Sequence, residues 1–440
     1  MNRTGLVIRT SGRGIDNTGK TLVTGALQEL IEEAAGGGTL VITPGKYLTG
    51  SLYLRSGMSL VLEEGSELIA TADEREYRAA WTRIAGIMME GYEGLLTLKG
   101  VHDVSVSGPG TINGSGPYWW AKYWGEDTKG GLRAEYGPKG LRWAADYDVK
   151  RLRNVVVDSS HDIELRDFTS FESGFWNVHV LFSERVLVEG VHIKSASLAS
   201  PSTDGIDIDS SSYVTVRGCV TETNDDSICV KAGRDWDGWK VARPCHHILI
   251  ERCKVLSGFG VTLGSEVSGG IHDIIIRDMD FIGTDCGFRI KSSRARHGYI
   301  RDITASGLRM TNVRYPVHIN LDWNPAYSYC ALPEGYEGEM PEHWKKLLER
   351  IPESVPLTQV SDITLANVTA GYDQGFKGSV RALDIEGYEE ENIRDLRLEN
   401  IRIKAHEYGI VSGVSGLTFK DTVITASGRR CEANDGYDSR

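Results

Sequence analysis

The sequence lacks the marks of several protein classes. It has no apolar run near the ~20 residues that a membrane-spanning helix needs. It also has no excess of positive charge, since 49 Lys and Arg against 61 Asp and Glu give a net charge of −12. A chain this acidic is poorly suited to general binding of nucleic acids or anionic membranes. We therefore expect a soluble protein without nucleic-acid or membrane partners.

Cysteine and proline are scarce, with 7 and 12 in 440 residues. The cysteines do not show the Cys-x-x-Cys spacing of zinc or redox sites, and we expect no metal and no cofactor. The segment 1–10 lacks the apolar stretch of a signal peptide. These features favour a cytoplasmic location, with a secreted or periplasmic one as the alternative.

Glycine is abundant instead, at 51 residues without a collagen period. Short alternating apolar segments recur 22 to 34 residues apart, in two families that follow the chain together. The first family comprises segments 104–106, 163–165, 186–188, 214–216, 248–250 and 274–276, with the regular spacing from 163 onward, and the second comprises 206–208, 228–230, 261–263 and 288–290. Irregular periods of this length, built from strands and glycine turns, predict a parallel β-helix rather than a leucine-rich repeat or a propeller.

One helix interrupts the strand pattern near the beginning. Apolar residues follow a helical stripe from Leu22 to Ala34, Asn17 and Thr18 could cap its start, and 36–38 is Gly-Gly-Gly. We expect this helix, near 18–35, to cap the open end of the solenoid. Two insertions, near 117–150 and 323–356, are expected to lie on one face of a single domain spanning 1–440.

The second strand family gives a register. When its inward-facing residues are superposed, Asp204 and Asp226 occupy equivalent positions in neighbouring coils, ~4.8 Å apart, with Asp225 beside them. Carboxylates gathered so closely repel one another and raise at least one pKa, as acid–base hydrolysis of a glycoside requires. A solvated acidic turn and a calcium site are the alternatives.

Positively charged residues also occupy equivalent positions in the second strand family. Arg289 and Lys291 share the outward face of one strand, and Lys231 is the equivalent of Lys291 in an earlier coil. A basic patch in a protein of net charge −12 suggests local recognition of a negative group such as a sugar carboxylate. Ion pairing with the neighbouring aspartates is the alternative.

These residues carry a family resemblance. The chain resembles glycoside hydrolase family 28, the polygalacturonases and their relatives, over roughly residues 12–320. Its motifs appear here as Ser202-Thr203-Asp204, Asp225-Asp226, Gly258-Phe259-Gly260 and Arg289-Ile290-Lys291. The resemblance implies an all-β, single-stranded, right-handed parallel β-helix with an N-terminal capping helix.

The resemblance also implies roles for the charged residues. Asp225 would be the general acid, while Asp204 and Asp226 would hold and deprotonate the attacking water, with inversion at the anomeric carbon. Arg289 and Lys291 would bind the substrate carboxylate.

The remaining candidate substrate-binding residues are Lys231, Phe259, His179 and Tyr315. Phe259 stands where the family has a histidine. It could stack on a sugar face, or His179 could replace the missing imidazole. Tyr315 is a candidate sugar contact.

The expected function is hydrolysis of pectic glycans that contain galacturonic acid. Six of the ten tryptophans lie in the two insertions, where they could stack on sugars and wall off one end of the groove. We therefore expect release of single sugars from oligosaccharide ends. The alternatives are a catalytically weak glycan-binding β-helix from the same family and a calcium-dependent eliminase on a similar solenoid.

Overall fold

The computed structural model describes residues 5–390, 392–426 and 429–435. They form two compact units. The first comprises residues up to 84, 88–138 and 145–225, and the second comprises 85–87, 139–144 and 226 onwards. Among the helices described, none is both long and apolar enough to cross a membrane.

The first unit is a stack of short parallel strands, one coil upon another. We call the strands that carry the candidate site the front strands. In this unit they are Leu52–Tyr53, Gly94–Lys99, Arg153–Asp158, Val178–Leu181 and Ile206–Asp209. The other stacked strands are Val7–Arg9, Thr18–Leu22, Thr39–Ile42, Gly45–Thr49, Ser59–Leu62, Ser66–Ala70, His102–Ser107, Thr111–Asn113, His161–Arg166, Thr169–Phe171, Glu184–Glu189, His192–Ser195, Ser212–Arg217 and Val220–Thr223.

The second unit repeats this construction. Its front strands are Ile228–Lys231, Val261–Leu263, Cys286–Lys291, Tyr315–Asn320, Arg381–Glu386 and Glu407–Ser412. The others are Cys245–Glu251, Lys254–Val255, Ile271–Ile282, Tyr299–Thr311, Gln359–Gly371, Ile393–Ala405, Val414–Ser415, Thr418–Ala426 and Arg429–Asp435. Only the last of these pairs antiparallel, with Thr418–Ala426, among the pairings described.

The predicted register holds within each unit. Ile228, Val261 and Phe288 are paired in successive coils, and so are Ile163, Val186 and Val214. Inward residues such as Ile206 and Ile208 are fully buried. Burial of each such side chain contributes about 1.5–3 kcal/mol, and the alternation turns the intervening polar residues outward.

The N-terminal helix exists, but it begins later than expected. It spans Thr24–Ala34, and no side chain caps its first turn. Thr18–Leu22 is instead a strand that pairs with Gly45–Thr49. The Asp16 carboxylate accepts hydrogen bonds from the backbone N–H and hydroxyl groups of Thr18 and Thr21, so local side-chain bonds compete with helix formation there. The capping role of the helix stays a prediction.

Helices occupy the two insertions. The first holds α-helices Gly116–Trp124, Gly131–Tyr136 and Ala145–Asp148 with the 3₁₀ turn Arg142–Ala144, and the second holds Pro325–Ser328 and Glu342–Leu348. The sequence reading missed the helix Asp235–Val241, the 3₁₀ turn Glu74–Glu76 and a two-stranded hairpin, Ala79–Ile84 with Ile87–Tyr92. The assignment of 1–440 to one domain stays a prediction.

Candidate active site

Asp204 is fixed by its backbone at the entry to a front strand. Its carbonyl oxygen accepts hydrogen bonds from the backbone N–H of Asn177 at 2.8 Å and from that residue's side-chain amide at 3.0 Å. Asp204 is buried, and one of its carboxylate oxygens lies within 4.8 Å of one of Asp225. The first unit thus brings two of the three predicted carboxylates together.

The turn that carries Asp225 is held by side-chain bonds. The hydroxyl of Thr223 donates to the carbonyl of Asp225 at 2.9 Å, and the side-chain amide of Asn224 donates to the carbonyl of Ser200 at 3.1 Å. Asp225 itself stays half-buried. Its carboxyl can therefore meet both Asp204 and a molecule from solvent.

Asp226, the next residue in the chain, is fully buried and surrounded by donors. Its carboxylate lies 2.6 Å from Lys291 Nζ and 3.1 Å from Arg289 Nη1, and it accepts a hydrogen bond from the Thr262 hydroxyl at 2.9 Å. Burial alone would raise the pKa of Asp226, but the charges of Lys291 and Arg289 outweigh it and hold the pKa well below its usual range. Asp226 is therefore a carboxylate that can accept a proton and cannot supply one.

Lys231 pairs with a residue that the sequence reading did not assign. Its Nζ lies 3.2 Å from Glu266 Oε2, and both side chains are buried. Burial opposes the charge of Glu266, yet the Lys231 and Arg296 charges hold the pKa of Glu266 below its usual value. Lys231 also lowers the pKa of Asp226, so it belongs to the same charged group.

Two aromatic rings cover the predicted carboxylate-binding cations. The Phe259 ring centroid lies 4.8 Å from the Arg289 guanidinium carbon, and the Trp323 centroid lies 4.2 Å from Lys291 Nζ. Both distances fit cation–π contacts. Phe259 therefore contacts Arg289 through the face of its ring, and Trp323 reaches Lys291 from the second insertion.

His318 is a neighbour of the site that the sequence reading missed. It is the register partner of Arg289 in the next coil, and its Nε2 lies 3.3 Å from Asp384 Oδ2. Burial and the Arg289 charge lower the pKa of His318 to about 4. Tyr315, half-buried, packs on this imidazole with ring centroids 5.3 Å apart. Extending the register one coil beyond Arg289 would have identified His318.

His179 is fully buried in the first unit and has no surface for a substrate. Its Nδ1 lies 2.6 Å from Arg153 Nη1, and its Nε2 lies 3.4 Å from Asp209 Oδ2. Burial lowers the pKa of His179 to about 4. The prediction that His179 contacts the substrate is therefore wrong, because its side chain is enclosed within the first unit.

Most tryptophans of the two insertions pack against the protein itself. Trp119, Trp120, Trp143 and Trp344 are buried, and the Trp124 indole N–H donates to the carbonyl of Ala199 at 2.9 Å. Trp323 is half-buried beside Lys291. Of the six, Trp323 is the one whose position suits contact with a sugar.

The buried histidines predict acid sensitivity. With pKa values of about 4 in the fold against about 6.5 unfolded, His179 and His318 bind fewer protons folded than unfolded between these pH values. Stability is therefore lost as pH falls through this window, by about 2 kcal/mol per histidine from pH 7 to pH 5. Urea unfolding at the two pH values measures the loss. His179→Gln should reduce it, and an unchanged loss in His179→Gln contradicts the prediction.

Comparison with known proteins agrees with this geometry. Residues 79–334, which contain every candidate site residue predicted from the sequence, match the model of the family described as Glycosyl hydrolases family 28. A "Probable polygalacturonase" of Vitis vinifera is 29% identical over 80% of this chain and 71% of its own, and an "Endo-polygalacturonase" of Pectobacterium carotovorum subsp. carotovorum is 26% identical over 79% and 87%.

The fold also matches a solved structure. An exopolygalacturonase from Thermotoga maritima superposes with a TM-score of 0.79 at 24% identity, over 97% of this chain and 93% of its own. The right-handed parallel β-helix predicted from the sequence is thereby confirmed.

Proposed function

The chain belongs to glycosyl hydrolase family 28, and from this premise we propose that it hydrolyses pectic glycans containing galacturonic acid. One observation carries the proposal: the buried Asp226 is held between Arg289 and Lys291. An ammonium has three donors and a guanidinium five, so each cation can make more than one hydrogen bond. A sugar carboxylate is the group that such donors recognise, and the named relatives are polygalacturonases.

We assign the acid role to Asp225. Asp226 is held ionised, so it suits accepting the proton of the attacking water, together with Asp204. Asp225, half-buried and close to Asp204, suits donating a proton to the leaving oxygen. The glycan-binding alternative is not favoured, because the relatives named above are polygalacturonases.

Arg289 and Lys291 would bind the substrate carboxylate, and Lys231 would help to lower the pKa of Asp226. Phe259 would hold the Arg289 guanidinium, and Tyr315 would contact a sugar one coil further along. A cytoplasmic location stays a prediction.

Exo action is supported by the exposure of the front strands. In the first unit every residue of Arg153–Asp158, Val178–Leu181 and Ile206–Asp209 is buried, outward-facing ones included. In the second unit Ile228–Lys231, Val261–Leu263 and Cys286–Lys291 are buried in the same way, whereas Tyr315–Asn320 is partly exposed and Glu407–Ser412 is exposed throughout. A glycan could therefore find open surface on the strands that follow Cys286–Lys291. We propose that the enzyme releases single sugars from chain ends.

Digestion of polygalacturonate, rhamnogalacturonan and short oligogalacturonides tests the function, with products sized at early times. We expect monomer from the galacturonides, without a rapid fall in polymer viscosity and without inhibition by EDTA. A ladder of mixed oligomers would contradict exo action. No reducing-sugar release from any of the three would contradict the proposed function.

The anomeric configuration of the first product is a second readout of the same digestion. Inversion, implied by the family resemblance, is the expected outcome by NMR. Retention would instead assign Asp204 as a nucleophile.

A further inference from the structure

We propose that Arg234 is a positioning residue that holds the Trp323 ring over the cations Arg289 and Lys291. The inference rests on the proposed function, because it concerns how these two cations receive a sugar carboxylate. Arg234 has 0% of its surface exposed and lies directly before the helix Asp235–Val241. All the residues that carry the inference belong to the second unit.

The guanidinium of Arg234 binds the segment that follows Trp323. Its Nη2 donates to the carbonyl of Tyr327 at 2.8 Å and to the sulfur of Cys330 at 3.2 Å. The guanidinium carbon also lies 4.4 Å from the Tyr327 ring centroid, a cation–π contact. One side chain therefore binds both the backbone and the ring of Tyr327, which restrains this part of the second insertion.

Arg234 is itself fixed by buried ion pairs. Its Nε lies 3.1 Å from Asp235 Oδ2, and Asp235 Oδ1 lies 2.5 Å from Arg296 Nη1. Arg296 in turn donates from Nε to the carbonyl of Ser265 at 3.1 Å. Removing one partner of a buried ion pair is strongly destabilising, so the Arg234 guanidinium is held beside Asp235. It therefore binds the second insertion from a fixed position.

Contacts continue from Tyr327 to Trp323. The two rings meet edge to face, with centroids 5.8 Å apart and planes at 73°. The Ser328 hydroxyl donates to the carbonyl of Trp323 at 2.8 Å. The backbone N–H of Trp323 donates to the carbonyl of Ser292, the residue after Lys291, at 2.9 Å. Trp323 is thus held between the end of the cation-bearing strand and the restrained segment.

The ring of Trp323 lies over both cations. Its centroid is 4.2 Å from Lys291 Nζ and 5.8 Å from the Arg289 guanidinium carbon, and the residue is only half-buried. A ring in this place attracts the Lys291 ammonium and offers an apolar surface to the sugar whose carboxylate the cations bind. These contacts act alike on bound substrate and transition state, so their loss should raise KM more than it lowers kcat.

A double-mutant cycle on the KM for trigalacturonate tests the inference. Trp323→Ala should raise KM on the order of tenfold, and Arg234→Met, which removes every donor, about fivefold. In the Trp323→Ala background Arg234→Met should raise KM little further, because its effect on KM is exerted through Trp323. Lys240→Met is the control, since it breaks an exposed ion pair between the helix Asp235–Val241 and Glu349 of the second insertion.

Hydrogen exchange of the backbone amides within 323–330 follows the segment without any substrate. It should be faster in Arg234→Met than in the wild type and in Lys240→Met. A folded Arg234→Met with the wild-type KM overturns the inference. A rise in KM that is as large in the Trp323→Ala background as in the wild type also overturns it, because Arg234 would then act by another route.

If Arg234→Met fails to fold, Tyr327→Leu decides the matter, because it removes the ring between Arg234 and Trp323 and leaves the buried charges in place. It should raise KM in the wild-type background and have little effect on KM in Trp323→Ala. An unchanged KM in Tyr327→Leu overturns the inference. A wild-type protein that cleaves no pectic glycan refutes the proposed function instead, and hydrogen exchange in Tyr327→Leu or Arg234→Met still decides whether Arg234 holds the Trp323 segment.

Discussion

In an Asp225→Asn variant we expect hydrolysis to fall on the order of 10³-fold, with folding and glycan binding largely kept. The asparagine preserves the shape of the side chain and loses the proton that the leaving oxygen requires. The neighbouring carboxylate cannot take over, because Lys291 and Arg289 hold the pKa of Asp226 well below its usual range. Because the acid acts mainly in the transition state, the loss should appear in kcat with little change in KM.

Single-turnover hydrolysis of an oligogalacturonide measures the effect, with circular dichroism and thermal unfolding to verify the fold. Glu164→Gln, at a surface carboxylate of the first unit, is the control. A glycoside with a good leaving group, which needs less protonation, should be cleaved with a smaller loss by Asp225→Asn. Near wild-type turnover on the ordinary substrate would place the acid elsewhere, and an equal loss on both substrates would argue for a role of Asp225 other than protonation.

The sequence predicts the register of the front strands because side chains alternate and coils stack at fixed spacing. The pairing of Val261 with Phe288, and of Leu263 with Ile290, follows from the apolar pattern alone. That register places Arg289 and Lys291 on one face, and the structure adds that both contact Asp226. The sequence therefore predicts the strand register and the shared face of Arg289 and Lys291, because both follow from the periodic pattern.

The features that it missed depend on contacts between distant segments. Nothing in the pattern of residues 79–92 separates a hairpin from another pair of coil strands. Its attachment depends on Arg83 meeting Asp209, which is 126 residues away. His179 was proposed as a substitute for the family histidine that Phe259 replaces, whereas its burial between Arg153 and Asp209 is a property of the folded chain. The predicted start of the N-terminal helix is wrong for a local reason. The Asp16 carboxylate accepts hydrogen bonds from the backbone N–H groups of Thr18 and Thr21, which competes with helix formation there.

The second large effect is expected at Lys291. In Lys291→Met we expect kcat/KM on oligogalacturonides to fall about 10²-fold, the loss typical of removing one partner from a buried, hydrogen-bonded charge pair. Two causes contribute. The substrate carboxylate loses a donor, and Asp226 loses the cation 2.6 Å away that does most among its neighbours to keep it ionised.

Two comparisons separate these causes. A methyl-esterified substrate has no carboxylate, so its smaller loss in Lys291→Met would isolate the binding contribution. The effect on Asp226 appears in the pH profile: without Lys291 the pKa of Asp226 rises, so the acidic limb of kcat/KM should move to higher pH. Lys291→Arg should restore much of the charge, and Lys240→Met, at an exposed pair with Glu349, should change neither quantity. Equal losses on both substrates with an unmoved acidic limb would show that Lys291 serves neither purpose, and the assignment of the cation pair would then rest on Arg289 alone.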